Sequence, residues 1–390
     1  MNRIFDNTEV AFRLKSNLDL RKAQLLFTVM GKPSLVKIGT SLTNFAIQYH
    51  LPVKSLIKKT IFQQFCGGIS EEDCLSSIKS LNEVNVKSIL DYSVEGKENE
   101  HEFDATRDKL LSLLKFSDDH KGLSFLVFKP TALGRFELWR KITEHETLSK
   151  QEEIEWQRVK DRFDAICKAA ADAKLPTLID GEESWMQGAA DSLVEEMMEK
   201  YNKQEVIIFN TIQCYRWDRL SYVKVLHETA KQKNFKIGVK IVRGAYMEKE
   251  NFRALEKGYA SPICESKLAT DDNFNAVMEY GLDNLEDFGI FIGTHNEASN
   301  YLALKILNEK GIRADDKRVW FGQLFGMSDN LTFNLAERGY NVAKYMPFGP
   351  VKEVIPYLIR RAEENTSVAG QTGRELTLLN QELERRKKLK

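Results

Sequence analysis

The chain has 390 residues, 42% of them hydrophobic, with 57 Lys plus Arg matched by 57 Asp plus Glu. A formal charge of zero removes any global electrostatic case for nucleic-acid binding. The length allows two or three domains, or one large barrel with an appendage, and no apolar run reaches the roughly 18 residues of a membrane span.

Residues 1–120 read as helical. Leu25, Leu26, Phe27, Val29 and Met30 form an apolar block, and Leu42, Phe45, Ala46 and Leu51 recur at helical spacing, as do Ile57, Ile61 and Phe65. Cys66-Gly67-Gly68 stops that pattern, and Ser70 followed by Glu71 to Asp73 starts another helix. The charged stretch Lys97 to Asp104 predicts an exposed segment. No chemical motif occurs in this region, which predicts a packing or covering role. The first residues are acidic enough and apolar too little for a secretory signal or transit peptide, so a cytoplasmic location is expected.

From Leu123 the pattern changes. Short apolar runs alternate with helical segments: Ser124–Phe128, Pro176–Ile179, Val206–Asn210, Phe235–Val242, Phe288–Gly293, Arg318–Gly322 and Asn341–Met346. Seven strands separated by helices imply a parallel sheet of the α/β class. An eighth, Ser367–Gly370, would close a (β/α)8 TIM-like barrel over residues 121–372. An open doubly wound sheet is the alternative, although no G-x-G-x-x-G follows the first strand. Residues 373–390 predict a C-terminal amphipathic helix, whose basic end suits the helix dipole.

A polar residue marks the end of nearly every predicted strand: Lys129, Asp180, Gln213, Lys240, Thr294-His295, Gln323 and Tyr345. In a (β/α)8 barrel those ends line the active site. After Tyr345, the residues Pro347, Gly349 and Pro350 lead into a helix at about 351–365. On it Tyr357 and Arg361 stand four apart, as do Arg360 and Glu364, so each pair shares a face. One reading is a solvated basic turn with i,i+4 ion pairs. The other is a pocket for a small carboxylate, in which aromatic walls flank a guanidinium fork. Five scattered cysteines, Cys66, Cys74, Cys167, Cys214 and Cys264, make no C-x-x-C and no Cys/His cluster, so neither disulfides nor a metal is expected.

The segments FKPTALGR (128–135), LIDGEESW (178–185), NTIQCY (210–215), KIVRGAYM (240–247), THNE (294–297), FGQLFGM (321–327) and YLIRRAEEN (357–365) occur in this order. Together they resemble flavin-dependent proline dehydrogenase, in the single-function branch that includes the mitochondrial enzymes. No aldehyde dehydrogenase domain follows, so the fused bifunctional form is not expected.

The resemblance implies a distorted (β/α)8 barrel with FAD over the strand ends and a last helix supplying an arginine pair. It implies oxidation of L-proline to Δ1-pyrroline-5-carboxylate, with hydride passed to flavin N5 and electrons to a membrane quinone. A separate pyrroline-5-carboxylate dehydrogenase would take the product, and peripheral contact with the inner face of the membrane follows.

By the same resemblance Arg360, Arg361 and Lys129 bind the substrate carboxylate, and Asp180 braces that cluster. Tyr246, Leu324, Tyr345 and Tyr357 wall the pyrrolidine ring, and Glu364 supports the arginines. Gly181, Gln213, Val242, Arg243, Gly244, Ala245, Thr294 and His295 match cofactor positions. Lys240 matches a position near the reacting centre where many bacterial members carry Arg; Arg243, three residues along the strand, should face the other side. Two rivals stay open: an aldolase using Lys129 or Lys240 as a Schiff-base amine, and a non-catalytic helical scaffold with a decayed barrel.

Overall fold

The computed structural model describes residues 3–36, 39, 58–92, 98–367 and 371–389, without the side chains of 58–59, 363–367 and 371–372. The eight strands, in sequence order, close a barrel. They are β1 (Val86–Tyr92), β2 (Leu123–Phe128), β3 (Thr177–Ile179), β4 (Ile208–Gln213), β5 (Ile237–Val242), β6 (Phe288–Gly293), β7 (Val319–Leu324) and β8 (Val342–Phe348). By contacts the chain falls into two compact units, Met1–Val94 with Gln323–Lys390, and Glu95–Gly322.

In Glu95–Gly322 the strands alternate with helices α3 (Glu100–Asp119), α4 (Phe136–Thr143), α5 (Lys150–Ala173), α6 (Ser184–Tyr201), α7 (Arg219–Lys233), α8 (Met247–Lys257), α9 (Lys267–Asp283) and α10 (Glu297–Glu309). Strands buried on both faces read as continuous apolar runs, the habit of a parallel sheet covered by helices, and β4 is buried throughout. Phe125 of β2 meets Phe209 of β4 and Phe291 of β6 edge-to-face at 5.9 and 5.3 Å, and Trp320 of β7 at 5.1 Å. Phe125, Phe209 and Phe291 come from alternate strands and share one interior layer, so the barrel is filled by side chains there. Helix α5 starts with a capping box, since Ser149 accepts from the Glu152 amide and Glu152 accepts from the Ser149 amide. It ends where Lys174 takes a left-handed conformation.

The other unit holds α1 (Asn17–Met30), α2 (Glu71–Asn82), α11 (Asp329–Ala336), α12 (Val351–Ser367) and α13 (Gln371–Lys388). Ser16–Asp19 and Ser70–Asp73 are capping boxes at the starts of α1 and α2. The apolar block read at 25–30 faces inward through Phe27 and Met30, in a core shared with Phe12, Leu20, Tyr357, Leu358, Leu378 and Leu379. The expected pattern from Leu42 to Ile57 lies outside the described residues. The basic end of α13 does more than complement a dipole. Arg386 donates to the carbonyls of Phe12 and Lys15 at 2.9 and 2.8 Å, and the fully buried Glu382 holds it at 2.6 Å.

Several expectations are corrected. The eighth strand is β1, inside the region read as helical. VKSILDY is a seven-residue run flanked by helix-like neighbours, and its strand character comes from pairing with β8, from Val86 opposite Val342 to Tyr92 opposite Phe348. Ser367 closes α12 instead of opening a strand, and 368–370 lie outside the described residues. Strand β8 runs two residues beyond Met346, so Tyr345 sits within it. Pro347 lies within it too, its carbonyl accepting the Gly67 amide at 2.9 Å. Lys240 likewise lies inside β5 and not at its end. The charged stretch before Asp104 is partly committed: Glu100 and Asp104 receive the buried Arg162 guanidinium.

Candidate active site

Polar side chains collect where the strands of Glu95–Gly322 end. Lys129 follows β2, Asp180 follows β3, Gln213 ends β4, and Thr294 and His295 follow β6. Lys240, 6% exposed, forms an ion pair with Asp180. The Asp180 amide donates to the Phe128 carbonyl at 2.9 Å, which ties the end of β3 to that of β2.

Arg243 turns away from this pair, as strand alternation requires. It donates to Asp271 at 2.7 Å, to the Thr294 hydroxyl at 2.7 Å and to Ser299 at 3.1 Å, with its guanidinium 4.5 Å over the Phe274 ring. Two predicted cofactor positions are therefore joined directly. Burial pushes the Asp271 carboxyl up, but hydrogen bonds from Lys267 and Arg243 outweigh it and hold the group below the usual range. His295 is half-buried.

Gln213 is 2% exposed and its Oε1 accepts no hydrogen bond. A buried acceptor without a donor costs free energy, so this atom calls for an explanation. Space beside it is kept by Gly181, where a Cβ would come within 2.9 Å of the Gln213 side chain. Gly244 has φ +127°, and a Cβ there would lie 2.5 Å from the Tyr215 ring. Gly244 and Ala245 are exposed, so their backbone is open to a bulky partner. Tyr246 caps the start of α8, half-buried, with the Lys249 ammonium 5.4 Å over its ring.

Several groups here were missed in the sequence. Glu182, 6% exposed, accepts the Thr131 amide at 3.0 Å and the Thr131 hydroxyl at 2.7 Å. Burial lifts its carboxyl to about 7, against the pull of Lys129 and of the Thr131 hydrogen bonds. Gln187 accepts the Glu182 amide at 2.9 Å and donates to Asp191 at 2.8 Å; Asp191 in turn meets Arg219 at 2.9 Å. The signal was present in LIDGEESW as an acid two residues beyond the strand-end aspartate.

In the other unit, α12 bears out the spacing argument. Tyr357 and Arg361 share a face, the Arg361 guanidinium lies 5.1 Å over the Tyr357 ring, and they are 7% and 8% exposed. A cation on an aromatic face, largely withdrawn from water, is not a solvated basic turn. Arg360 is half-buried beside it, and the Glu364 side chain lies outside the described residues. Leu324 packs against the core that contains Tyr357. Tyr345 is 9% exposed, and its carbonyl accepts the Phe325 amide at 2.7 Å. Next to it, Lys344 is buried against Asp329 at 2.9 Å, and Asp329 also meets Lys15 at 3.3 Å. Glu375 accepts the Ser328 amide at 2.5 Å, and burial, then the Asp329 charge, raise its carboxyl to about 7.

Charged and amide groups at successive strand ends of a parallel barrel define a (β/α)8-barrel enzyme. The proline dehydrogenase family model matches residues 74–374, and the chain belongs to that family. It is 35% identical over 322 residues to the carbapenem antibiotics biosynthesis protein CarD of Pectobacterium carotovorum subsp. carotovorum, covering 83% of each chain. It is 39% identical over 241 residues to human mitochondrial proline dehydrogenase 1, covering 61% of this chain and 40% of that one. The chain therefore spans less than half the length of the human relative. Among solved structures it is similar to proline utilization A from Bdellovibrio bacteriovorus inactivated by N-propargylglycine. That match has a TM-score of 0.72 and 21% identity, covers 83% of this chain and 36% of that one, and speaks to the fold. Among the described residues no helix is long and apolar enough to cross a membrane.

Proposed function

We propose that the chain oxidises L-proline to Δ1-pyrroline-5-carboxylate with FAD as its cofactor, and that a membrane quinone takes the electrons. As a family member the chain is an oxidoreductase acting on proline. The observation that carries the cofactor is Gln213, a buried acceptor left without a donor beside the space kept by Gly181.

Gln213, Gly181, the Val242–Ala245 segment, Thr294 and His295 would hold the FAD, with Arg243 fixing Thr294 in place. Bound there, FAD supplies the two-electron acceptor for hydride from the ring carbon next to nitrogen. Arg361 and Arg360 are assigned to the substrate carboxylate, because a planar fork with restricted motion grips a carboxylate at two points. Lys129 is assigned to the same group by its motif. Tyr357 holds Arg361 from below, while Tyr345, Leu324 and Tyr246 are assigned to the ring and Glu364 to support of the pair. The Lys240–Asp180 pair sets the charge at the reacting end. The substrate amine must arrive neutral, since an ammonium has no lone pair to push hydride out.

An aldolase acting through Lys240 is disfavoured by that pairing, since a Schiff-base lysine needs a neutral amine and Lys240 sits on a carboxylate. The product would pass to a separate pyrroline-5-carboxylate dehydrogenase. A cytoplasmic protein bound peripherally at the membrane's inner face fits a quinone acceptor. The test is the visible spectrum of purified protein. Flavin bands that bleach on adding L-proline, with flavin released on heating, are expected; colourless protein reconstituting with no flavin overturns the proposal.

A further inference from the structure

We propose that Glu182 is a positioning residue, one that fixes the Lys129-bearing turn through Thr131 and, by its own charge, tunes the pull of Lys129 on a carboxylate. The inference rests on the reading of Lys129 as a carboxylate-binding group.

The turn after β2 is short. Lys129 is extended, and Pro130–Ala132 form one turn of 3-10 helix. Two residues beyond Lys129, both donors of Thr131 end on Glu182, the amide on Oε2 at 3.0 Å and the hydroxyl on Oε1 at 2.7 Å. A carboxylate taking two donors from one residue fixes the position and the rotation of that residue. Glu182 is itself anchored, because its amide is held by Gln187, whose own amide group is held by Asp191 and, through it, Arg219. A fixed base under a long lysine stem suits a carboxylate-binding lysine, since less of the side chain is left to order on binding.

The charges that act on Glu182 are Lys129 from the end of β2 and Glu183 on its own segment. Glu183 is answered by Lys249 of α8 at 2.8 Å; Thr131 and Gln187, which also face Glu182, are neutral. The Glu182 carboxyl therefore changes charge near neutrality. When it ionises, it repels an incoming carboxylate, so binding weakens as pH rises through about 7.

The test uses tetrahydrofuran-2-carboxylate, the ring-oxygen analogue of proline. It has no amine, and its carboxyl is ionised throughout the range, so any pH dependence near neutrality belongs to the protein. Its Kd is measured by calorimetry on the holoenzyme at about pH 6 and pH 8, with four proteins. For the unaltered protein, Kd should rise about threefold to tenfold across that range. Glu182→Gln keeps an acceptor for the Thr131 amide and a donor for its hydroxyl but has no charge. Its Kd should stay flat within about twofold, near the low-pH value. Glu182→Ala frees the turn and should bind about tenfold more weakly at both pH values, raising the proline KM more than it lowers kcat.

Lys129→Met separates the two possible failures. If it binds normally, Lys129 is not a carboxylate group and the underlying reading falls. If it binds weakly while Glu182→Ala binds normally, or Glu182→Gln keeps the pH slope of the unaltered protein, the role of Glu182 is overturned and that of Lys129 stands.

Discussion

Two buried polar groups, one in each unit, are treated in opposite ways. In Met1–Val94 with Gln323–Lys390, the Lys344 ammonium is 1% exposed, and each of its three hydrogens has an acceptor. These are Asp329 at 2.9 Å, the Leu324 carbonyl at 3.3 Å and the Met327 carbonyl. In Glu95–Gly322, Gln213 is as deeply buried, and its Oε1 accepts nothing. A saturated charge serves packing and register; the unsaturated acceptor at the end of β4 is the one assigned above to the proposed cofactor. Burial alone does not distinguish them, whereas the count of unmet hydrogen bonds does.

That contrast is easiest to break at Asp329. Asp329→Asn leaves Lys344 and Lys15 without their shared acid, and removing one partner of a buried ion pair should cost about 3–5 kcal/mol of stability in urea titration. A loss below about 1 kcal/mol would show that water reaches the network. Next in size are Arg361→Ala and Arg360→Ala. Each should lower kcat/KM for proline by the equivalent of about 2–4 kcal/mol with flavin still bound. Near-normal values in both would return the pair to a structural role over Tyr357.

Smaller still is Gln213→Leu, the mirror of the Asp329 change. Removing an unmet acceptor should leave stability within about 0.5 kcal/mol or improve it, while flavin affinity falls about tenfold. Equal flavin retention in dialysis would show that the amide does not face the cofactor.

The smallest effect sharpens the network itself. Burial raises the Glu375 carboxyl to about 7, so the folded protein holds a proton there that the unfolded chain gives up near its ordinary range. Stability is then fully present below the ordinary value and falls as pH rises through the folded one, by at most about 1.4 kcal/mol per pH unit. Between about pH 6 and pH 8 the midpoint of thermal unfolding should drop, and Glu375→Gln should remove part of that slope. An unchanged slope in the variant would assign it to another group.

The chain's own letters reveal much of this, unevenly. The four-residue spacing of Tyr357 and Arg361 located a cation over a ring, because helix geometry is local and 3.6-fold. Alternation along β5 correctly sent Arg243 away from Lys240. Strand β1 was hidden because its partner, β8, is about 250 residues away in the chain, and propensity has no view of such a pairing. Glu182 was passed over for a related reason. Its significance lies in two donors on Thr131, supplied by a different strand's turn. Lys344 was not singled out at all, and only the approach of Asp329 shows why it is inside.

The pairing of β1 with β8 also bears on synthesis. The partner strand, the core shared by Phe27 and Leu378, and the carbonyls bound by Arg386 all wait on residues beyond Gln323. A ribosome adding about 5–20 residues per second needs about 15 s to a minute to go from Phe27 to Gln323, long enough for the Glu95–Gly322 unit to begin folding first. During that interval Phe12, Leu20 and Phe27 lack the part of their core that Leu358, Leu378 and Leu379 supply. This early-made stretch is thus among the last to be secured.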